Sequence, residues 1–353
     1  HRDLHRLIRR QRQMCIRDSF KAGAALTNME YVRMTLVPKG FSAPGLNAFI
    51  GMGCYLVNAL GERYMLKYHP LAEKAPRNVL VWATLKEIQE GRGPIYVDCR
   101  HLGESSLAHL KSTLGFDKDT FPDYLAEKNI DIAKDLLEIT VSEGMQAGPS
   151  EVVGSGILID EKCKSTIEGL YAAGDCADQA RCVHGAVCSG FVAGREAAIY
   201  SKEVNFTDVD EDYALKKVDE LTQIIDRKDG FSPRELEYAV KIIMNDHAGP
   251  IRTEKGLAIG LEKLKKLEKI VNELKASNYH ELMRAIEATN LITIGKLTIT
   301  AAIERRESRF PPYHFRLDYP ETRDDKWLKL IVLRRDGDSI TISHKPLDYS
   351  GIL

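Results

Sequence analysis

The sequence predicts an α/β fold followed by an α-helical region, and three observations carry that expectation. The first is residues 169–195, GLYAAGDCADQARCVHGAVCSGFVAGR: a short apolar run stops at Gly174-Asp175, crosses a polar loop and restarts at His184 as a helix of small residues. The second is a change of composition. Residues 208 to about 307 are Lys/Glu-rich and keep a helical apolar period, clearest over 261–275, LEKLKKLEKIVNELK. The third is the tail WLKLIVLRRDGDSITISHKPL, two alternating segments on either side of Asp336-Gly337, which is the pattern of a β-hairpin.

Residues 169–195 also carry the chemistry. A carboxylate at a strand end accepts hydrogen bonds from a sugar-like polyol, and the first turn of the next helix offers free N–H groups and a positive dipole end to an anionic ring or phosphate. Asp175 followed by the helix from His184 suits a flavin nucleotide, and it suits a plain packed strand-to-helix turn equally well.

The chain has 353 residues, enough for two or three domains and an ample core. Its 50 Lys+Arg against 51 Asp+Glu leave a formal charge of -1, so no global field recruits nucleic acid or a membrane surface. The exception is the start, HRDLHRLIRRQRQMCIRDS, with six Arg and two Asp. A basic arm for nucleic acid, a targeting segment and foreign sequence compete there; the wording RQRQMCIRDS resembles translated adapter sequence, so residues 1–19 are expected to be a non-native leader. None of the seven cysteines forms a CxxC pair. Cys176, Cys182 and Cys188 recur every six residues, which is not the clip spacing of zinc or iron–sulfur sites, and no metal is expected. An odd cysteine count without a secretion signal fits a reducing cytoplasm, and no apolar run reaches the length of a membrane span.

Taken in order, alternating and β-branched residues around Met29 to Val37 predict a strand leaving a larger sheet. A Gly/Pro-rich loop with one cation, Lys39, follows, then an apolar segment, 46–59, and a tight turn at Gly61-Glu62-Arg63. Pro76 opens a helix whose apolar positions are Val79, Trp82, Leu85 and Ile88, with Gly91 and Gly93 as stops. Ile95 to Cys99 reads as a strand, and 101 to about 145 as amphipathic pieces of a compact α+β insert. Residues 149–160 read as a strand broken by Gly154 and Gly156, where the backbone either bulges or approaches a ligand closely. A hairpin-like EKCKSTIE then leads to Gly169. Residues 307–320, with two arginines, a histidine and two acids, form either an ion-pair clasp or an anion site.

Together these segments resemble the flavoprotein subunits of the fumarate reductase, succinate dehydrogenase and adenylylsulfate reductase family, over about residues 20–350. The anchors are Thr27-Asn-Met-Glu30, Gly61-Glu-Arg63, Arg77, Gly169 to Asp175, His184-Gly-Ala186, Arg252 in HAGPIRTEKGL, and ESRFPPYHFRLDYPETRDDKWLK. The resemblance implies part of a Rossmann-like FAD-binding domain with an inserted α+β capping domain, then a helical C-terminal domain. The implied bounds are 20–37 for a strand of the FAD domain, 38–146 for the cap, 147–200 for the return to the FAD domain, 208–310 for the helical domain and 311–353 for a tail with a hairpin. The Gly-rich turn that holds the flavin pyrophosphate in such domains does not occur here, so the chain is expected to be the C-terminal part of a longer protein.

Within the family, the dicarboxylate enzymes clamp substrate with two histidines and an arginine and protonate it with a second arginine. On this sequence the clamp positions fall on Thr35, near Glu151 and on Cys188, and only the proton donor, Arg77, is in place. The adenylylsulfate reductase branch is similar in wording at Met29-Glu-Tyr-Val-Arg-Met-Thr-Leu-Val-Pro-Lys-Gly, at His184 through Arg195, and at Glu307 to Pro320. It departs at Gly156, where that branch has histidine, and at Lys39, where it has arginine.

The resemblance therefore implies an FAD-dependent oxidoreductase fragment, adenylylsulfate-reductase-like, exchanging electrons between a small anionic substrate and a separate iron–sulfur subunit. The alternatives are a dicarboxylate enzyme and a non-catalytic subunit that keeps the fold. Gly174, Asp175, His184, Gly185, Ser189, Gly190 and Phe191 are the expected cofactor-binding residues; Arg77, Lys39 and Arg252 are the expected catalytic or anion-holding cations.

Overall fold

The structure is a computed structural model describing residues 14–32, 34–41, 46–117, 119–143, 155–178, 182–205, 208 and 210–347. The chain forms two compact units. Unit 1 takes His1–Tyr31, Gly148–Arg309 and His314–Leu353; unit 2 takes Val32–Ala147 and Phe310–Tyr313. Unit 2 thus begins at Val32 rather than at residue 38, and it includes Phe310 and the first three residues of the tail. The expected strand around Met29 to Val37 is in fact two strands, β1 (Leu26–Thr27) in unit 1 and β2 (Met34–Pro38) in unit 2. Asn28 ends the first with a positive φ of 57°, a conformation that Asn tolerates better than most residues.

In unit 2, β2 opens a four-stranded antiparallel sheet of order β2-β5-β4-β3, with β3 at Tyr55–Val57, β4 at Ile95–Asp98 and β5 at Leu137–Glu143. Helices α2 (Asn47–Gly51), α3 (Met65–Tyr68), α4 (Arg77–Gln89), α5 (Glu104–Asp117) and α6 (Phe121–Glu127) complete it. Pro76 is the N-cap of α4, as its fixed φ and missing N–H favour at a helix start.

In unit 1 the sheet order is β6-β1-β7-β8, with β6 at Gly156–Ile157, β7 at Lys329–Asp336 and β8 at Ser339–Pro346. Every pairing is antiparallel, and Leu26 sits between Ile157 and Leu333. The tail hairpin therefore extends the sheet that β1 belongs to. A helix α1 over 14–21 places Ile16 and Phe20, one turn apart, in the same core as Leu26, Ile157 and Leu333. Residues 14–19, assigned by sequence to a leader, are thus part of a core helix; 1–13 lie outside the described residues. The apolar run 169–173 forms no ladder strand, only one bridge, Lys164 to Tyr171, which closes the expected hairpin. Of the expected strand over 149–160, residues 155–160 are described, and among them only Gly156–Ile157 form a strand, β6. Helix α7 (Cys182–Tyr200) follows.

Four helices make the C-terminal part of unit 1: α8 (Glu211–Asp226), α9 (Pro233–Ala248), α10 (Glu254–Ile270) and α11 (Tyr279–Glu304). Their starts are capped by Asp210, Ser232, Thr253 and Asn278, each accepting from a backbone N–H in the first turn, and Ser232 with Glu235 completes a capping box. Leu236, Val240, Leu257, Leu264, Ile292 and Ile299 form the shared core, each burial stabilising by roughly 1.5–3 kcal/mol. Close approach requires Gly295 on α11, where an added Cβ would stand 2.8 Å from Leu264 Cδ1. No helix among the described residues is long and apolar enough to cross a membrane.

Residues 307–320 build an ion-pair clasp. Arg305 Nε bonds Glu30 Oε1 at 2.6 Å and Arg305 Nη1 bonds Glu307 Oε1 at 3.0 Å, all three side chains being buried. Arg305 also donates to the carbonyls of Trp327 and Lys329, the first at the end of the short helix α12 (Asp324–Trp327). Arg309 bridges Glu307 and Asp324, while Arg316 pairs with Asp318 and donates to the Ala302 carbonyl. Buried guanidiniums are tolerated here because carboxylates and helix-end carbonyls accept hydrogen bonds from their N–H groups.

Candidate functional site

The turn after residues 169–173 is locked from two sides. Gly174 has a φ of +67°, and its N–H donates to Ser189 Oγ at 3.0 Å. Ser189 Oγ in turn donates to the Gly185 carbonyl at 2.6 Å, so one hydroxyl ties the turn to the second turn of α7. On the other side Gly156 has a φ of +142°, and a Cβ there would stand 2.2 Å from the Cys176 carbonyl oxygen. Gly156 thus serves a close approach of backbone to backbone: Ile157 bridges Ala177, and Asp178 N–H donates to the Ile157 carbonyl. Burial pushes the Cys176 thiol above its ordinary value.

Ser189, one of the expected cofactor-binding residues, has its hydroxyl turned into this tie. Its side chain is buried and its hydrogen bonds are committed within the protein. Gly174 is buried too, whereas Asp175, His184, Gly190 and Phe191 are exposed and Gly185 is half-buried. Sequence reasoning missed the role of Ser189 in holding the turn, although a Ser fifteen residues after a Gly-Asp turn carries no local pattern that would reveal it.

The exposed side of α7 has a defined character. Val183, Val187 and Phe191 recur at four-residue spacing with relative exposures of 82%, 67% and 71%. Gly190 and Gly194 fall on the same side and leave open space where a Cβ would stand. An apolar helix side, and an exposed carboxylate at Asp175 on the turn tied to that helix, fit a ligand with an aromatic ring system and a polyol arm.

The expected cations are placed as follows. Arg77 is the first residue of α4 and half-buried, with Nη2 donating to Asn47 Oδ1 at 3.2 Å. Lys39 lies at the surface of unit 2, and its ammonium pairs with Glu138 at 2.6 Å, which raises its pKa. Arg252 departs from expectation. It is 1% exposed inside unit 1 and donates to the carbonyls of Ala248, Gly249 and Glu30 and to His314 Nδ1. Burial pulls its pKa down to about 10, against an opposing pull from Glu30, and the same desolvation holds His314 well below the ordinary imidazole value. The guanidinium is a beam of the clasp rather than an accessible anion-holding group.

An acidic turn packed on a small-residue helix with an open apolar side, in a mixed α/β unit joined to a capped helical bundle, defines a nucleotide-cofactor-binding α/β protein. Residues 16–190 match the family described as FAD binding domain, and 237–352 the family described as fumarate reductase flavoprotein C-term. The two matches together span most of the chain, and the cofactor they indicate is FAD. An uncharacterized FAD-dependent oxidoreductase of Methanocaldococcus jannaschii is 29% identical over 350 residues, covering 94% of this chain and 60% of that protein. The succinate dehydrogenase flavoprotein subunit of Coxiella burnetii is 29% identical over 364 residues, covering 93% of this chain and 58% of that protein. Among solved structures, an E. coli quinol fumarate reductase FrdA variant superposes with a TM-score of 0.79 at 23% identity, covering 95% of this chain and 62% of that one. Adenylylsulfate reductase from Archaeoglobus fulgidus gives 0.75 at 24% identity, covering 94% and 61%. At these identities the two structures establish likeness of fold. The chain spans about 60% of the length of the curated relatives it matches.

Proposed function

We propose that the protein carrying this chain is an FAD-dependent oxidoreductase that passes electrons between a small anionic substrate and a separate iron–sulfur partner in the cytoplasm, with a site of the adenylylsulfate reductase type. Bound FAD supplies the two-electron chemistry that side chains cannot. Asp175 accepts hydrogen bonds from the hydroxyls of the cofactor, and the exposed side of α7 from His184 to Phe191 packs against its ring. Arg77 holds the anionic substrate or delivers a proton to it, its guanidinium oriented by Asn47. A guanidinium gives up a proton only where its neighbours relay it.

The observation that favours this substrate class is Cys188, exposed on α7 where the dicarboxylate enzymes carry a clamping arginine. A cysteine side chain brings no positive charge with which to hold a second carboxylate. The succinate dehydrogenase flavoprotein subunit among the relatives favours the dicarboxylate reading instead. Turnover by the full-length flavoprotein with its partner subunit decides between them. Adenylylsulfate-dependent electron transfer should exceed fumarate reduction or succinate oxidation by at least ~10-fold, the effect of about 1.4 kcal/mol in the barrier. The reverse order returns the dicarboxylate enzyme, and a folded protein without flavin absorbance returns the non-catalytic subunit.

A further inference from the structure

Unit 2 holds two thiols that neither the flavin site nor the proposed substrate chemistry uses. Cys54 and Cys99 are each 1% exposed, and their sulfurs lie 3.2 Å apart. Sheet register puts them there. Tyr55 stands opposite Asp98 in the antiparallel β3–β4 ladder, so the residues one step further out, Cys54 and Cys99, also face each other. Backbone hydrogen bonds do not join them: the Cys54 N–H goes to Phe49, and the Cys99 carbonyl accepts from Leu102. They form a non-hydrogen-bonded cross-strand pair, the kind in which side chains approach most closely. No third His, Cys, Asp or Glu groups with them among the described residues, so two sulfurs alone do not make a metal site.

We propose that Cys54 and Cys99 form a reversible disulfide, a redox modification site that closes the 54–99 loop of unit 2. That loop contains α3 and α4 and therefore carries Arg77. The oxidant is a hydroperoxide. The Cys54 thiolate attacks a peroxide oxygen, the O–O bond breaks, and Cys54 sulfenic acid and hydroxide result. The Cys99 sulfur then attacks the Cys54 sulfur; the S–S bond forms, the S–O bond breaks, and the hydroxyl leaves as water. Two thiols and one hydrogen peroxide become one disulfide and two waters, with two electrons passing from sulfur to oxygen. The hydrogen bond between the two sulfurs holds Cys54 below the ordinary thiol value and Cys99 above it, and so marks Cys54 as the attacking group. Peroxide is small enough to enter at the open end of the ladder, where the flanking Gly53 and Arg100 are exposed.

The test treats the native protein with graded hydrogen peroxide, alkylates it with iodoacetamide in denaturant, and maps tryptic peptides without reductant. Arg63, Lys67, Lys74, Lys86 and Arg92 lie between the two cysteines, so each falls on its own peptide. The expected result is a cross-linked species two hydrogens lighter than the sum of the two peptides, lost on adding dithiothreitol. It should form while Cys163, also buried, stays alkylatable. In Cys99→Ser the cross-link disappears and Cys54 becomes trappable as a sulfenic acid by dimedone. Full alkylation of both cysteines at peroxide doses that oxidise the exposed Cys188 overturns the proposal. So does their conversion to sulfinic acids without a cross-linked peptide. Wild-type mapping decides the matter even if the variant fails to fold.

Discussion

Ser189 shows how much one hydroxyl can govern. It accepts from Gly174 N–H and donates to the Gly185 carbonyl, so the orientation of Asp175, the next residue along, depends on it. Ser189→Ala removes the acceptor of a buried N–H, a loss of about 1–3 kcal/mol. The expected outcome is a lower urea midpoint for the chain and a smaller flavin-to-protein absorbance ratio in the full-length protein after gel filtration. An unchanged ratio would separate the turn from cofactor binding. Sequence alone showed the Gly-Asp turn and the helix but not this tie, because a serine inside a run of small residues reads as helix filler. Gly156 was legible as a break in a strand; its partner, the Cys176 carbonyl, was not, since nothing local connects residues that meet through folding.

At the scale of elements, α4 is the clearest success of pattern reading. Pro76, the helical spacing of its apolar residues and the glycines beyond it are all local, and the helix runs from Arg77 to Gln89 as those features require. What anchors it was hidden. Glu87 accepts from both Nε and Nη2 of Arg92 at 2.7 Å, from Asn58 at 2.8 Å and from the Tyr68 hydroxyl at 2.9 Å. Arg92, with these other donors, brings the Glu87 carboxyl from 4.5 down to about 2. A depressed carboxyl stabilises the fold in full above its unfolded value and loses that contribution as pH falls through the folded one. Unfolding of wild-type protein and of Glu87→Gln should therefore converge as pH drops from 4.5 towards 2, the variant showing the flatter dependence over that window. Parallel curves across the window would remove Glu87 from the account. The run 169–173 is the opposite case: its apolar residues read as a strand, yet it meets a neighbour through a single bridge.

At the scale of the molecule, the sequence showed the order of α/β parts, insert and helical region, because composition changes over tens of residues. It did not show that the tail belongs to the first sheet, or that Arg305 is buried against Glu30, 275 positions away. The two facts meet in the same segment. Removing residues 324–353 would take away β7, two carbonyl acceptors of Arg305 and the Asp324 partner of Arg309. It also strips Leu330, Ile331, Val332 and Leu333 from the core. At roughly 1.5–3 kcal/mol each, their loss is about as large as the whole stability of an ordinary domain. The truncated chain is expected to lose the cooperative unfolding transition of unit 1, read by calorimetry. A retained transition within a few degrees of the parent would show that the hairpin only decorates the sheet.

The position of β1 between β6 and β7 also sets a timetable. Thr27 donates its hydroxyl to the carbonyl of Ile331, 304 positions further along. At ~5–20 residues per second of synthesis, the growing chain waits on the order of 15–60 s between making one partner and making the other. Through that interval β1 is an edge with open N–H and C=O groups, able to pair with any passing strand. The stretch that closes the sheet against mispairing is thus made 304 positions after the edge it covers.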